Sequence, residues 1–284
     1  MSQILEDFKQ GLSDLGITKG DIVYVGSDIT QLLVVLRKKE DRKSREEQNE
    51  FLHALIDALQ EQVGEEGTLL FPVYTWSFCK GKPYDVSKTP GTVGVLNNWV
   101  LKNRTDFRRT AHPLYSFMVW GKDAEMLLAM DNQEAWGKDS PFEYFKEQHA
   151  KLFLLNVTLQ RAFTFMHYVE QSVEVPYRYH KYFLGNYTDE MGRTTARCYS
   201  MYVRDLDIET EEYMPDSFME EAGLLHGVHT EDLTLKVIDM AEAYPVVAED
   251  LLHNGGKNCY HFTNYEIDWE KGRTHEHEIS DRLS

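Results

Sequence analysis

Residues 151–174, KLFLLNVTLQRAFTFMHYVEQSVE, constrain the fold more than any other stretch of the chain. Leu152, Phe153, Leu154 and Leu155 form an apolar run of the length expected for a buried strand. A polar break at 156–161 follows, and then a segment with helical spacing. There His167, Glu170 and Glu174 fall at i, i+3 and i+7 and share one face, while Phe163, Met166 and Val169 turn toward a core. A strand, a loop and a helix carrying an imidazole and a carboxylate is how open α/β sheets place chemistry beyond their strand ends. The same spacing also describes a core helix with an ion-pairing face, and periodicity alone leaves both readings open.

Strand and helix signals alternate along the rest of the chain. Residues 3–15 read as a helix, with Ile4, Phe8, Leu12 and Leu15 in phase and Gly16 as its stop. IVYVGS, ending at Ser27, is a strand candidate, and FLHALIDALQEQVG is a helix closed by Gly64. TLLFPVYTW is a strand with Pro72 at an edge or at its final position. The mixed-charge run at 37–49 reads as a solvated helix start or loop, not a binding patch. A turn-rich loop at 79–94 leads into a helix at 95–103; YSFMVWG reads as a strand, and a helix follows near 122–130. Ser140, Pro141 and Glu143 read as the start of a further helix. Residues 175–213, rich in Tyr and Arg, read as a β-hairpin turning at Met191-Gly192. Thr230, Glu231 and Asp232 are expected to cap a helix to about 243, broken by Tyr244-Pro245 before another helix to 252. NCYHFT reads as a last strand, and the polar tail at 269–284, with its THEHE, as a frayed end. The whole predicts one α/β domain over 1–268 with 175–213 as a β-rich insertion.

Charge narrows the partners. With 30 Lys and Arg against 47 Asp and Glu, the formal net charge is −17. That argues against nucleic acid and anionic membrane, both of which are bound through Lys and Arg. Cys79, Cys198 and Cys259 are widely spaced and make neither a disulfide framework nor a zinc knuckle. No run approaches a membrane span and the N-terminus is no signal peptide, so the expected location is cytoplasmic. Within this acidic chain Arg104, Arg108 and Arg109 precede His112-Pro113, a basic patch suited either to an anionic ligand or to surface ion pairs.

No Gly-x-Ser-x-Gly elbow, His-Glu-x-x-His helix, Walker loop or dinucleotide glycine fingerprint is present. His167, Glu170 and Glu174, with His112, could supply ligands to a metal-dependent hydrolase, but nothing else shows metal-site spacing, and no metal is expected. His167 as a general base supported by a carboxylate is the better reading, because imidazole titrates near neutral pH.

In order and spacing, GDIVYVGSDI, GTLLFPVYTW, TPGTVGVLNNW, RTAHPLYSFMVWG, KDSPFEYF and LLNVTLQRAFTFMHYVE resemble the aminoglycoside 3-N-acetyltransferase family over about residues 15–174. The most specific part is HP-x-x-S (His112, Pro113, Ser116), then SP (Ser140, Pro141), then T-x-x-H-x-x-E (Thr164, His167, Glu170). The resemblance implies a three-layer α/β/α fold with a central mixed sheet, acetyl-CoA or another acyl-CoA as co-substrate, and an amino sugar as acceptor. By analogy it suggests a homodimer. It implies His167 as the base that deprotonates the amine, with Glu170 orienting it or holding the cationic acceptor. Ser27, Thr89, Gly91, Thr92 and Gly94 would lie against the coenzyme, His112 and Ser116 would line the same pocket, and Arg104, Arg108 and Arg109 would meet its phosphates. Direct attack on the thioester needs no covalent enzyme intermediate, in keeping with the missing nucleophile motif.

The chain departs from the resistance enzymes at Gly26-Ser27, at Pro90-Gly91, in the charged run at 37–49 and in the hairpin. The hairpin should shape the acceptor site in this family. Its divergence directs the expectation to a nucleotide-linked (dTDP- or UDP-) amino sugar for surface polysaccharide synthesis. Glu174, Arg178, Tyr179, Arg197 and Arg204 are then the candidate acceptor contacts. An aminoglycoside is the alternative acceptor, and a non-catalytic acyl-CoA or sugar-binding protein a more distant alternative.

Overall fold

The computed structural model describes residues 2–276 and 278–280, and a seven-stranded mixed sheet divides it. The chain opens with α1 (Gln3–Asp14), whose Ser2 side chain caps the Leu5 N–H. Then come β1 (Ile22–Ser27), α2 (Thr30–Lys39), α3 (Arg45–Val63), β2 (Thr68–Pro72), β3 (Tyr84–Asp85), α4 (Val95–Asn103), β4 (Arg108–Arg109) and β5 (Phe117–Gly121). Next are α5 (Ala124–Leu128), α6 (Pro141–Glu147), β6 (Lys151–Leu155), α7 (Leu159–Ala162) and α8 (Phe165–Ser172). The long strands β7 (Arg178–Thr188) and β8 (Thr194–Arg204) follow, then β9 (Thr210–Glu212), α9 (Asp216–Glu221), β10 (His226–His229) and β11 (Thr234–Asp239). The chain ends with α10 (Met240–His253), β12 (Tyr260–Phe262) and β13 (Glu278–Ser280). Among the described residues no helix is long and apolar enough to cross a membrane.

The sheet order is β10-β11-β6-β1-β2-β5-β4. Its centre, β6-β1-β2, is parallel, and the strands outside it are antiparallel to their neighbours. Parallel strands are covered on both faces, which is why β6 reads as an unbroken apolar run. Successive side chains enter opposite cores. Leu152 and Leu154 of β6, Tyr24 of β1 and Leu70 of β2 join one core with residues of α6, α8 and α10. Phe153 and Leu155, Val23 and Val25, and Leu69 and Phe71 join the other, with α1 and α3. The architecture is therefore three-layer α/β/α. β7 and β8 form a hairpin that adds Phe183, Tyr187, Tyr199 and Tyr202 to the first core, with β3 and β13 parallel along β7.

One helix was not anticipated and four expectations are corrected. Nothing in the pattern of residues 30–36 announces α2, which occupies them. The helix expected from Thr230 is instead β11, paired antiparallel with β6 from Leu235↔Leu155 to Asp239↔Lys151. Leu235 and Val237 face one core and Ile238 the other, a period of two. The Thr230 hydroxyl accepts the Leu233 N–H within a hairpin turn, and Asp239 is the true N-cap of α10, accepting from Ala241 and Glu242. Ser and Thr caps and turns share one local chemistry, so sequence confuses them. Pro245 sits inside α10 and does not break it. The tail is not frayed throughout: Glu278–Ser280 pairs with Lys181, Tyr182 and Phe183 of β7, whereas His277 of THEHE lies outside the described residues. Finally, the polar break is not all loop but holds α7, and the helix after it is the short α8, with Glu174 beyond its end at φ +55.

Candidate functional site

β6 ends in the sheet, Asn156 turns at φ +53, and α7 and α8 carry the chain back over the sheet's end. On α8, His167 and Glu170 are one turn apart. The His167 Nδ1 lies 2.7 Å from Glu170 Oε2; the carboxylate is wholly buried, whereas the imidazole is 24% exposed. Glu170 Oε1 accepts the Tyr177 hydroxyl at 2.7 Å and forms an ion pair with Arg178 Nε at 2.8 Å. Burial alone would raise the Glu170 carboxyl, but the Arg178 guanidinium and the His167 hydrogen bond outweigh it and hold the group at about 2. An ionised carboxylate can only accept, so the shorter contact, to Glu170 at 2.7 Å and not to the donor-only Arg178 Nη2 at 3.1 Å, assigns the imidazole proton to Nδ1 and leaves the Nε2 lone pair free. An aligned base of this kind can take a proton from an amine.

An aromatic wall stands beside it. Trp136 packs on the His167 ring at 5.0 Å and on Tyr115 at 4.9 Å, and the Tyr115 hydroxyl accepts the indole N–H of half-exposed Trp76 at 3.3 Å. Below, the Tyr24 and Tyr74 hydroxyls lie 3.1 Å apart. His112 is buried, and its Nδ1 accepts the N–H groups of Leu114 and Tyr115 at 3.3 and 3.2 Å. Burial, opposed in part by the Gln133 backbone, lowers its pKa to about 3, so it is neutral and braces the loop. Ser140 sits at the N-cap of α6, but its hydroxyl makes no capping bond and is buried without a partner.

The expected donor-side residues do not converge as a group. Arg104 is tied to Asp57 at 2.6 Å and Asp106 at 2.8 Å against α3, and its hydrogen bond holds Asp106 at about 2. Buried Arg109 donates to Ser116 Oγ at 2.9 Å and to the carbonyls of Val73, Val86 and Thr89, so both Arg109 and Ser116 lock the 73–89 loop to β4. Arg108 pairs with Glu125 at 2.6 Å. These contacts correct the assignment of Arg104 and Arg109 to coenzyme phosphates. Thr89 accepts the Asp85 N–H, and the N–H groups of Gly91 and Thr92 are taken by Asn98 and Tyr74. Gly94, at φ +69, opens α4 with no side-chain cap, and Ser27 Oγ at the end of β1 is buried without a partner. The Ser27 hydroxyl and the first turn of α4 thus have no side-chain partner among the described residues.

On the acceptor side, Arg178 is buried in the Glu170 network, so it is not a surface contact. Glu174 turns away to pair with Arg273 at 3.3 Å. Tyr179 is buried against His275, Arg204 donates to the Ile208 carbonyl at 2.9 Å, and Arg197 pairs with Asp131 at 2.8 Å over the Tyr187 ring. Among the described residues no three His, Cys, Asp or Glu side chains are grouped to hold a metal, and Glu174 leaves the set on which a hydrolase would depend. Tyr177, Trp136 and Tyr260 were not anticipated. Tyr177 beside Arg178 was visible as a polar pair, but Tyr260 reaches the site from 82 residues beyond Arg178 and no spacing foretells it.

A family model described as aminoglycoside 3-N-acetyltransferase matches residues 43–251. No match was found among curated proteins. Solved structures share the fold at low identity. AAC-IIIb in a binary complex with CoASH is 18% identical with a TM-score of 0.67, covering 87% of this chain and 95% of its own. AAC(3)-Xa is 17% identical with a TM-score of 0.68, covering 86% and 92%. The YokD protein from Bacillus subtilis is 18% identical with a TM-score of 0.67, covering 89% and 95%.

Proposed function

The chain belongs to the aminoglycoside 3-N-acetyltransferase family and is a CoA-dependent N-acyltransferase, and we propose that it acetylates an amino group of an aminoglycoside-class sugar with His167 as the base. One observation carries this reading: a partly open imidazole bonded through Nδ1 at 2.7 Å to a buried, ionised carboxylate. A nucleotide-linked acceptor is not favoured, because Arg178 and Tyr179 are buried and Arg204 is held by the Ile208 carbonyl, so they offer no diphosphate clamp. The family description and relatives bound to sisomicin and apramycin support the aminoglycoside reading.

His167 Nε2 removes a proton from the acceptor ammonium, and the neutral amine attacks the thioester carbonyl carbon. Collapse of the tetrahedral species breaks the C–S bond, the proton still in excess on the attacking nitrogen passes to the departing thiolate, and the amide and free thiol leave. Glu170 holds the imidazole and stabilises its protonated form. The donor supplies the acetyl group; Ser27 and the first turn of α4 would hold it, the uncapped N–H groups of the helix suiting a phosphate.

The test is free-thiol release from acetyl-CoA, run against a panel of aminoglycosides and of nucleotide-linked amino sugars. Release with aminoglycosides is expected. Release with nucleotide sugars alone would overturn the acceptor assignment, and silence with every amine the activity itself.

A further inference from the structure

We propose that Arg178 is a positioning residue: it fixes the Glu170 carboxylate and thereby dictates which nitrogen of His167 is free. The proposal rests on His167 being the base. Every nitrogen of the guanidinium is engaged inside the protein. Nε pairs with Glu170 Oε1 at 2.8 Å, Nη1 donates to the Tyr202 carbonyl at 3.0 Å, and Nη2 donates to the Tyr260 hydroxyl at 3.1 Å. Nη2 also comes within 3.1 Å of His167 Nδ1; a guanidinium can only donate, so with the Nδ1 proton directed to Glu170 at 2.7 Å this is a close approach and not a hydrogen bond. Four segments thus meet on one ion pair: α8 supplies the carboxylate, the start of β7 the guanidinium, and β8 and β12 a carbonyl and a hydroxyl that accept from it.

The physical reason is protonation. A wholly buried carboxyl with no cation beside it takes up a proton. Protonated Glu170 would donate to His167 Nδ1, and the imidazole would then carry its own proton on Nε2, where it cannot accept one from an amine. Arg178 keeps the carboxyl ionised and so keeps Nε2 free. The groups that face Glu170 are His167 on its own helix, Tyr177 and Arg178 at the hairpin's start, Tyr260 on β12 and, through the field, Cys259 and Tyr202. Of these Arg178 is the permanent cation. The hairpin is thus tied to the catalytic machinery itself.

The test compares wild type with Arg178→Met, Arg178→Lys, Glu170→Gln and the double variant Arg178→Met/Glu170→Gln. Thiol release gives kcat and KM, and imidazole NMR of the ligand-free protein reads the His167 tautomer without reference to activity. Arg178→Met is expected to lower kcat roughly 100-fold with the acceptor KM nearly unchanged, and to move the proton from Nδ1 to Nε2. Arg178→Lys should restore the Nδ1–H tautomer and part of kcat. Retention of Nδ1–H in Arg178→Met, or a loss carried wholly in KM, overturns the proposal. Should Arg178→Met fail to fold, the double variant decides, since it leaves no unpaired charge. It should match Glu170→Gln within about threefold in kcat, and a further tenfold loss shows that Arg178 does not act through Glu170. If wild type releases no thiol with any amine, the acyl-transfer reading fails while the NMR still decides the positioning role.

Discussion

Arg109 and Arg178 are buried to the same degree, 5% and 6% exposed, yet they make different regions of the molecule. Around Arg109 the partners are neutral oxygens: three backbone carbonyls and the Ser116 hydroxyl, with the Tyr84 ring 5.1 Å below. Burial lowers its pKa, and the weaker fields of Tyr84, Tyr187 and Asp85 do not restore it. Around Arg178 the partner is a carboxylate that in turn touches a partly open imidazole, and despite burial Glu170 raises its pKa. The first arrangement is a joint between a loop and a sheet edge. The second couples its charge to a group that solvent and substrate can reach. A buried arginine is therefore read by its partner, not by its burial.

The sharpest break comes from His167→Ala, which should lower kcat about 10³-fold or more in the thiol-release assay while the melting temperature holds; near-wild-type turnover would remove His167 from the chemistry. Arg109→Met should do the opposite. It is expected to destabilise by about 3 kcal/mol in urea unfolding, because three carbonyls lose their donors, with kcat of the folded enzyme nearly unchanged. A large rise in the KM for acetyl-CoA without destabilisation would return Arg109 to the donor site.

His112 sharpens the comparison through pH. Its folded pKa of about 3 lies below the unfolded value near 6.5, so only the unfolded chain takes up this proton as pH falls between them. Stability is lost downward through that window. Glu170, at about 2 when folded, contributes stability above its unfolded value near 4.5 and loses it only below that. Between pH 6.5 and 4.5 His112 alone of the two acts, for about 2–3 kcal/mol, and His112→Gln should flatten that part of the urea-midpoint profile. The smallest effect is expected from Arg104→Ala, about 1 kcal/mol, since its carboxylate partners are largely solvated, with no change in the KM for acetyl-CoA.

Strand positions were legible wherever a run was buried on both faces, as in β1 and β6, and the hairpin turn at Met191-Gly192 fell where glycine, at φ +77, was needed. His167 and Glu170 were legible because one helical turn brings i and i+3 together without help from the rest of the chain. Glu174 was misread by the same rule: α8 ends at Ser172, and a periodicity extended past a helix end points nowhere. β11 was misread because Thr230 looks alike as a cap or a turn, and only pairing with β6 decides.

By itself the sequence determined the alternation of strands and helices, the hairpin and the His–Glu pair, since each depends on neighbours a few residues apart. Tertiary structure alone decided the fate of the arginines. A guanidinium carries the same charge and the same five donors wherever it stands, and long-range folding chooses whether it meets a carbonyl, a surface carboxylate or the buried Glu170.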